Sequence, residues 1–312
     1  MKENEMIEVK GKNGISAKVI ADSIGPTGKR VYTLEMVYPR IILAEVNTHR
    51  ALSKNTASSR AIPIGKAIEQ VQENPMFPVY WGSAQSGMQA GPELIGVPLE
   101  IAKALWQKGI DQNIALVKEF DELKVHKQIA SRWLETGQLI KTVISGTDWD
   151  NLQWLRNDDD AQPEFHELAK CIQECFDKSV PEVLKPGEWH TPYVAHVRDA
   201  YGKLLYLDAD GNELTLDEAR KISASCAAQV SYRRLNDSKE KAIEIFDKLF
   251  SGSKPHMSPV EHPCTPMQIK QGYEWEDGVT HVTRGGDMYS GNLNSWIQYR
   301  QLLPNNNFVK EL

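Results

Sequence analysis

Apolar and polar residues alternate in two early stretches of the chain and recur at helical spacing in most of the others. The alternation predicts strands within residues 15–20 and 31–37, and the apolar run 142–144 predicts a shorter one. Residues 201–207 and 213–216 flank an acidic, glycine-containing turn and predict a hairpin. Helical periodicity predicts helices over 40–47, 64–74, 99–124 (as one helix or a pair), 126–132, 150–156, 164–180, 217–229 and 238–250.

Helices combined with a small number of strands indicate the α+β class. The chain contains neither G-x-G-x-x-G nor G-x-x-x-x-G-K-[ST], which argues against Rossmann and P-loop nucleotide sites. Residues 75–92 contain glycine and proline and are expected to form a loop, but no stretch has the composition of an interdomain linker. We therefore predict a single domain over residues 1–312.

The segment 47–60 concentrates polar chemistry directly after the apolar run 41–44. It carries one imidazole, two guanidiniums, two amides and five hydroxyls. Guanidinium and hydroxyl groups bind phosphate with defined direction, whereas imidazole and amide edges suit a flat ring. We interpret the segment as part of a nucleotide and cofactor site. The alternative is a polar helix end capped by hydroxyls.

Three further segments carry candidate chemistry, at 127–134, at 147–162, and at 227–233 together with 256–262. The two histidines and the glutamate of 256–262 suggest a metal, but Pro259 breaks the helix that a H-E-x-x-H site requires. We predict no metal site. The alternatives are a buried Ser-Pro turn for 256–262 and solvated helix faces for the arginines of the other segments.

Bulk properties narrow the class of partner. The chain of 312 residues is 41% hydrophobic and 25% charged, with a net charge of −6, which argues against broad binding to nucleic acid. The four cysteines are too few for a disulfide framework and are expected to be reduced core residues. No apolar run reaches membrane-spanning length and the first residues are acidic, so we expect a cytoplasmic location.

Taken together, the four segments resemble those of the flavin-dependent thymidylate synthases. The family's Arg-His-Arg, followed by seven residues and a serine, is similar to Thr48-His49-Arg50 with Ser58. Its Ala-Arg-(Val/Ile)-Ser-(Tyr/Phe) is similar to residues 228–232, and its His-x-(Ser/Thr)-Pro-Phe-Glu-His to residues 256–262. Its Asn-Phe-(x)2-Leu-Arg…Ala-Gln is similar to residues 151–162.

The order of these segments differs from that of the family, in which the Ser-Tyr and His-x-Ser-Pro segments come first. The chain therefore reads as a circular permutation, which a fold tolerates when its termini lie close together on the surface. The resemblance covers residues 31–62, 126–170 and 224–267. Residues 75–97 and 187–216 match no family segment, and 290–300 are expected to be an addition near the site.

The resemblance implies an antiparallel sheet with long helices and FAD-dependent chemistry. It implies that a one-carbon unit passes from methylenetetrahydrofolate to C5 of dUMP, with NADPH as reductant, giving dTMP. The family's homotetramer, in which subunits share active sites, is implied as well. The cofactor chemistry needs no cysteine nucleophile, because the protein positions flat rings and a phosphate.

Roles follow by matching positions. Ser58, Ser59 and Arg60 are expected to hold the nucleotide phosphate together with Arg132, and Glu45 is expected to lie near the substrate. Arg156 is expected to address the uracil edge and to stabilise negative charge developing at C5. We name Arg156, Ser58 and Arg60 as catalytic. The expected flavin contacts are His49, Arg50, Asn55, Asn151, Ser231, His256, Ser258 and Glu261.

Several positions depart from the family pattern. Thr48 replaces an arginine, Thr56 a glutamate, Ala61 a tyrosine, Glu45 a glutamine and Asp160 a histidine. A carboxylate at Glu45 lacks the N–H donors of an amide, so it can change the accepted base edge. Two alternatives therefore stay open, a dUMP 5-hydroxymethylase of the same family and a nucleotide-binding homologue without turnover.

Overall fold

The computed structural model describes residues 7–231, 235–250, 255–269, 275–304 and 306. In chain order the strands are β1 Glu8–Lys10, β2 Ser16–Ile24, β3 Arg30–Pro39, β4 Ser53–Thr56, β5 Leu139–Gly146, β6 Glu182–Val183, β7 Ala195–Arg198, β8 Leu204–Leu207, β9 Glu213–Leu214, β10 Cys264–Pro266, β11 His281–Val282, β12 Met288–Ser290, β13 Leu293–Asn294 and β14 Trp296–Gln298. The helices are α1 Leu43–Thr48, α2 Ile64–Glu73, α3 Val97–Glu122, α4 Lys127–Ala130, α5 Asp150–Arg156, α6 Pro163–Lys178, α7 Leu216–Ala228, α8 Lys239–Phe250 and α9 Tyr299–Leu302.

The main sheet has the strand order β1-β2-β3-β5-β4, so β4 forms one edge. These neighbours pair antiparallel, while the short β6 pairs parallel with β2. Smaller antiparallel sheets join β7-β8-β9, β10-β14 and β11-β12-β13. The long pairing of β3 with β5 brings two segments more than 100 residues apart into register, with Thr33 opposite Ser145.

Helix α6 covers one face of the main sheet, which we call the α6 face. Alternate residues of β3 (Leu34, Met36 and Tyr38) point to this face and share a buried cluster with Phe165 and Leu168 of α6. This alternation is the expected consequence of the strand's period of two. The free cysteines of α6 are buried in the same cluster, as the sequence predicts.

The opposite face, which we call the His190 face, lies under α7 and the segments that follow it. A second cluster there includes Val31 of β3, Trp189, Ile222 of α7 and Trp296 of β14. A third cluster joins α2 and α3 to the turns around α4 and lies beyond the end of β4. Ile62, just after the polar segment 47–60, packs against this third cluster.

The mixture of antiparallel sheets and helices confirms the predicted α+β class. The helical region predicted at 99–124 is a single helix, α3, over Val97–Glu122, rather than a pair. Pro39 ends β3 instead of beginning a helix, and a 3-10 turn separates it from α1. The short strand predicted at 142–144 is the centre of the longer β5, in which Lys141 and Ser145 interrupt the apolar pattern.

The predicted hairpin over 201–216 is present as β8 and β9. The helix predicted at 217–229 begins one residue earlier, at Leu216, because Thr215 caps it through a reciprocal capping box with Glu218. The helix predicted at 126–132 divides into α4 and a 3-10 turn over Ser131–Gly137. None of the helices in the described part of the chain combines the length and apolar character needed to cross a lipid bilayer.

Candidate functional site

Strand β4 carries the polar segment 47–60 to the edge of the main sheet. Its four residues have no apolar alternation, so its strand conformation is imposed by pairing with β5. Ser53 and Asn55 lie opposite Ser145 and Val143, on the His190 face. Lys54 lies opposite Ile144, on the α6 face. The segment therefore contributes to two separate polar clusters, one on each side of the sheet.

On the α6 face the structure brings Glu45, His49 and Arg156 together, and we call these residues the arginine cluster. Arg156 Nη1 lies 3.2 Å from Glu45 Oε2, and Arg156 Nε donates to His49 Nε2 at 3.2 Å. The guanidinium also lies over the ring of Phe165, 4.7 Å from its centroid. Residues assigned to substrate and to cofactor from sequence are thus in direct contact.

The electrostatics of the arginine cluster keep its histidine neutral. Burial, the Arg156 guanidinium and Lys54 together lower the pKa of His49 to about 4. A neutral Nε2 can accept from Arg156, which a protonated imidazole could not do. Lys54 donates to the carbonyl oxygens of His49 and Leu52, and burial lowers its own pKa to about 8.

On the His190 face Asn55 meets the turn Ser258–Glu261 and the residue after it, His262. The Asn55 carboxamide satisfies its neighbours when its nitrogen faces His262 Nε2 and the Ser258 carbonyl oxygen, each 3.2 Å away. The Ser258 side-chain oxygen lies 3.3 Å from the same nitrogen. The opening segment and the His-x-Ser-Pro segment, 200 residues apart in sequence, are therefore neighbours.

The segment 290–300 packs beside the same strand. Asn292 donates to the carbonyl oxygen of Ala51 at 3.1 Å, and its side-chain oxygen accepts from Ser53 Oγ at 3.0 Å. Arg300 forms an ion pair with Glu261, a predicted flavin contact. The segment thus fixes both β4 and the turn that follows Ser258.

Of the residues predicted to bind phosphate, Ser58, Ser59 and Arg60 follow β4, whereas Arg132 lies in the 3-10 turn Ser131–Gly137 that precedes β5. Arg132 Nη1 lies 2.8 Å from Glu135 Oε1, and the same oxygen lies 3.1 Å from Arg40 Nε. Arg40 is nearly buried, its Nη1 lies 3.5 Å from the carbonyl oxygen of Ala57, and it lines a cavity of about 290 Å³ together with Ser59. Two guanidiniums share one carboxylate here, which leaves a net positive charge beside the predicted phosphate site.

Other predicted residues make no side-chain hydrogen bond or ion pair with these clusters in the described part of one chain. Arg50, Arg60, Asn151 and His256 are exposed, and among the described residues the guanidiniums of Arg50 and Arg60 make no hydrogen bond or ion pair. Ser231 ends a 3-10 turn over Gln229–Ser231, but its side chain lies outside the described part of the structure.

Sequence reasoning missed several residues that the fold brings to the site. Lys54 lies within the polar segment 47–60. As neighbours in a strand, Lys54 and Asn55 must point to opposite faces, and this was the available signal. Arg40 and Phe165 carry no local signal, since only tertiary packing sets them beside Ser59 and Arg156. His190 lies in the segment 187–216 that matched nothing, yet it is buried against the sheet.

The chain was compared with known proteins. No protein-family model matches it, and the search of curated proteins finds no significant match. Within the described residues, no group of three or more His, Cys, Asp or Glu side chains is arranged to hold a metal ion.

Proposed function

We propose that this chain is a flavin-dependent thymidylate synthase with permuted connectivity, which transfers a one-carbon unit from methylenetetrahydrofolate to C5 of dUMP, using FAD and NADPH and giving dTMP. The observation that carries the proposal is the meeting of the motif segments at one strand. His49 contacts Arg156 and Asn55 contacts His262, although the partners are 107 and 207 residues apart in sequence.

The chemistry of the donor groups fits FAD and a nucleotide. Both ligands carry phosphates. The guanidiniums of Arg50 and Arg60 make no hydrogen bond or ion pair with the described residues, and they offer bidentate donors for those phosphates. The two positive charges of Arg40 and Arg132 outweigh the single negative charge of Glu135, and this net charge adds to the attraction for phosphate. Exposed carboxamides such as Asn151 suit the edges of a flat ring.

When bound, the flavin would supply the hydride chemistry that no side chain provides. The protein's own part is to hold the pyrimidine and to stabilise charge. Arg156, fixed by the ring of Phe165 and by neutral His49, offers a cation where negative charge develops on the uracil ring. Ser58, Ser59 and Arg60 would hold the phosphate at the other end of the nucleotide.

We further propose that the working form is a homotetramer with shared sites. Large apolar side chains flank the predicted substrate arginines on the surface of one chain: Trp154, 76% exposed, and Leu155 precede Arg156, and Trp133 follows Arg132. Exposed apolar groups beside functional residues are typical of interfaces. A second chain covering them would also complete a site whose residues lie on two faces of β4.

The proposal is tested by product identification. Purified protein should show oxidised-flavin absorbance, and incubation with dUMP, NADPH and labelled methylenetetrahydrofolate should give labelled dTMP. Omitting dUMP is the control for background NADPH oxidation. Colourless protein that also binds no added FAD would refute the proposal. Nucleotide binding without NADPH oxidation or product would instead favour the homologue without turnover.

The ion pair between Glu45 and Arg156 favours a second candidate, dUMP 5-hydroxymethylation. A carboxylate on Arg156 reduces the positive charge available to the uracil ring and removes the amide donors expected at position 45. In this reaction water, rather than hydride, completes the transfer. Mass spectrometry of the nucleotide distinguishes the products, because 5-hydroxymethyl-dUMP is one oxygen atom heavier than dTMP.

A further inference from the structure

A continuous chain of hydrogen bonds crosses the His190 face of the main sheet. Each of four neighbouring strands contributes one polar side chain, and two imidazoles link them. His190 Nδ1 lies 2.8 Å from Ser23 Oγ, and His190 Nε2 lies 2.9 Å from Thr33 Oγ1. Thr33 Oγ1 in turn lies 2.6 Å from Ser145 Oγ, which lies 2.8 Å from His262 Nδ1. At the far end, His262 Nε2 lies 3.2 Å from the Asn55 side chain. We call the first five residues, from Ser23 to His262, the relay.

Every member of the relay is buried, and both imidazoles are neutral. Thr33, Ser145, His190 and His262 have no exposed surface. Burial lowers the pKa of His190 and of His262 to about 3. A neutral imidazole has one N–H donor and one acceptor nitrogen, so each must be in a single tautomer to make both of its hydrogen bonds.

The contacts of Asn55 show in which direction the hydrogen bonds of the relay run. The carbonyl oxygens of Lys54 and Ser258, each 3.2 Å away, can only accept, so the Asn55 nitrogen must face them. His262 Nε2 lies 3.2 Å from the same nitrogen, so it must present its lone pair, because an N–H there would face another donor. The proton of His262 is consequently on Nδ1 and is donated to Ser145.

The remaining hydrogen bonds follow in order. Ser145 donates to Thr33, Thr33 donates to His190 Nε2, and His190 Nδ1–H donates to Ser23. This single direction satisfies every member of the relay, and reversing any one step leaves a buried donor facing a donor or an acceptor facing an acceptor.

We propose that the relay is a positioning device, which holds His262 in its Nδ1–H tautomer and thereby holds the Asn55 carboxamide with its oxygen directed away from Ser258. The relay members touch no ligand; they act through Asn55. That this oxygen accepts from an N–H group of the flavin ring rests on the proposed function, whereas the tautomer and the amide orientation do not.

Thr33→Val is the test, because it removes the central hydroxyl and keeps the side-chain volume. Nitrogen NMR of protein labelled with ¹⁵N in histidine reports the tautomer directly. We expect one Nδ1–H tautomer for His262 in the unaltered protein and a mixture in Thr33→Val. FAD titration of the same samples should show about tenfold weaker binding in the variant, the loss expected when one orienting hydrogen bond fails.

Two matched variants separate positioning from general damage. Thr33→Ser restores the hydroxyl and should restore both the single tautomer and the FAD affinity. Thr142→Val removes a buried hydroxyl on the α6 side of β5, where Thr142 bonds Tyr38 and Thr56, and should change neither readout. A thermal unfolding curve for each variant identifies any loss of folding.

The outcomes are distinct. An unchanged His262 tautomer in Thr33→Val would overturn the relay. A changed tautomer with unchanged FAD affinity, or a loss that Thr33→Ser does not rescue, would overturn its positioning role. Unaltered protein that shows the single tautomer but binds no FAD would contradict the proposed function and support the relay.

Discussion

On the α6 face of β4 a histidine lies among charged groups, whereas on the His190 face a histidine lies among hydroxyls and an amide. Both imidazoles are buried and neutral, but for different reasons. The pKa of His49 is lowered by burial and, in addition, by the positive charges of Arg156 and Lys54, whereas the pKa of His262 is lowered by burial alone. One short strand therefore separates a charged cluster from a neutral one.

The difference matters because the two kinds of contact respond differently to change. The arginine cluster is partly open to solvent, so its ion pair adds little to stability and its charges remain available to a ligand. The relay is closed, so removing one member leaves a partner unsatisfied in the interior. Under the proposed function, we infer that the arginine cluster on the α6 face stabilises charge in the reaction, whereas the relay on the His190 face orients Asn55.

The largest expected effect is on catalysis at the arginine cluster. Arg156→Ala should lower kcat/KM for one-carbon transfer to dUMP by about 10²- to 10³-fold, because the developing charge loses its cation. The same variant should change the free energy of unfolding by less than about 1 kcal/mol, since its ion pair is partly exposed. Steady-state kinetics and denaturant unfolding measure the two effects. A large loss of stability with unchanged kcat/KM would reverse the assignment of the two faces.

The next effect is the stability of the relay. His262→Ala should lower the free energy of unfolding by about 3 kcal/mol, through the cavity that it leaves and the unpaired Ser145 and Asn55 groups. Denaturant unfolding of this variant beside Arg156→Ala compares the two faces directly. A cost no greater than that of Arg156→Ala would mean that the two faces contribute alike.

A smaller effect is expected for phosphate binding. Arg60→Ala should weaken dUMP binding at least tenfold, about 1.4 kcal/mol, because the phosphate would lose a bidentate partner. Arg284 is also an exposed arginine and serves as the matched control, Arg284→Ala, with no change expected. Calorimetric titration with dUMP measures both, and unchanged affinity in Arg60→Ala would remove Arg60 from the site.

The last effect is on the pH dependence of stability. An unfolded imidazole has a pKa near 6.5, whereas that of folded His262 is about 3, so below pH 6.5 the unfolded chain binds a proton that the folded chain does not. The stability contributed by neutral His262 is fully present above pH 6.5 and is lost as the pH falls towards 3.

His262→Gln replaces the titrating imidazole with a neutral polar amide. It should therefore reduce the slope of the free energy of unfolding against pH, between about pH 6 and pH 4, by about 1.4 kcal/mol per pH unit. Chemical unfolding curves across this range measure the slope. The exposed histidine variant His281→Gln provides the comparison and should leave the slope as it is in the unaltered protein. Parallel slopes for His262→Gln and the unaltered protein would show that His262 takes up its proton while still folded.

The parts of the fold that follow from local pattern were accessible from sequence. Helix α8 and strand β3 have clear periodicity, and their positions agree closely with the prediction. Strand β4 gave no such signal, because its residues Ser-Lys-Asn-Thr are all polar and pair only because β5 lies beside them. In β5, Lys141 and Ser145 interrupt the apolar residues, so only the segment 142–144 gave a strand signal.

Sequence by itself determined the types of group present in each polar segment and hence the class of ligand to expect. Only the tertiary structure decided that Asn55 and Lys54 lie on opposite faces, that His190 joins the relay, and that Arg40 lines a cavity with Ser59. The physical reason is that side-chain chemistry is a local property, whereas burial and partnership depend on strand register and on layers packed from distant segments. A one-residue change of register in β4 would exchange the contents of its two clusters.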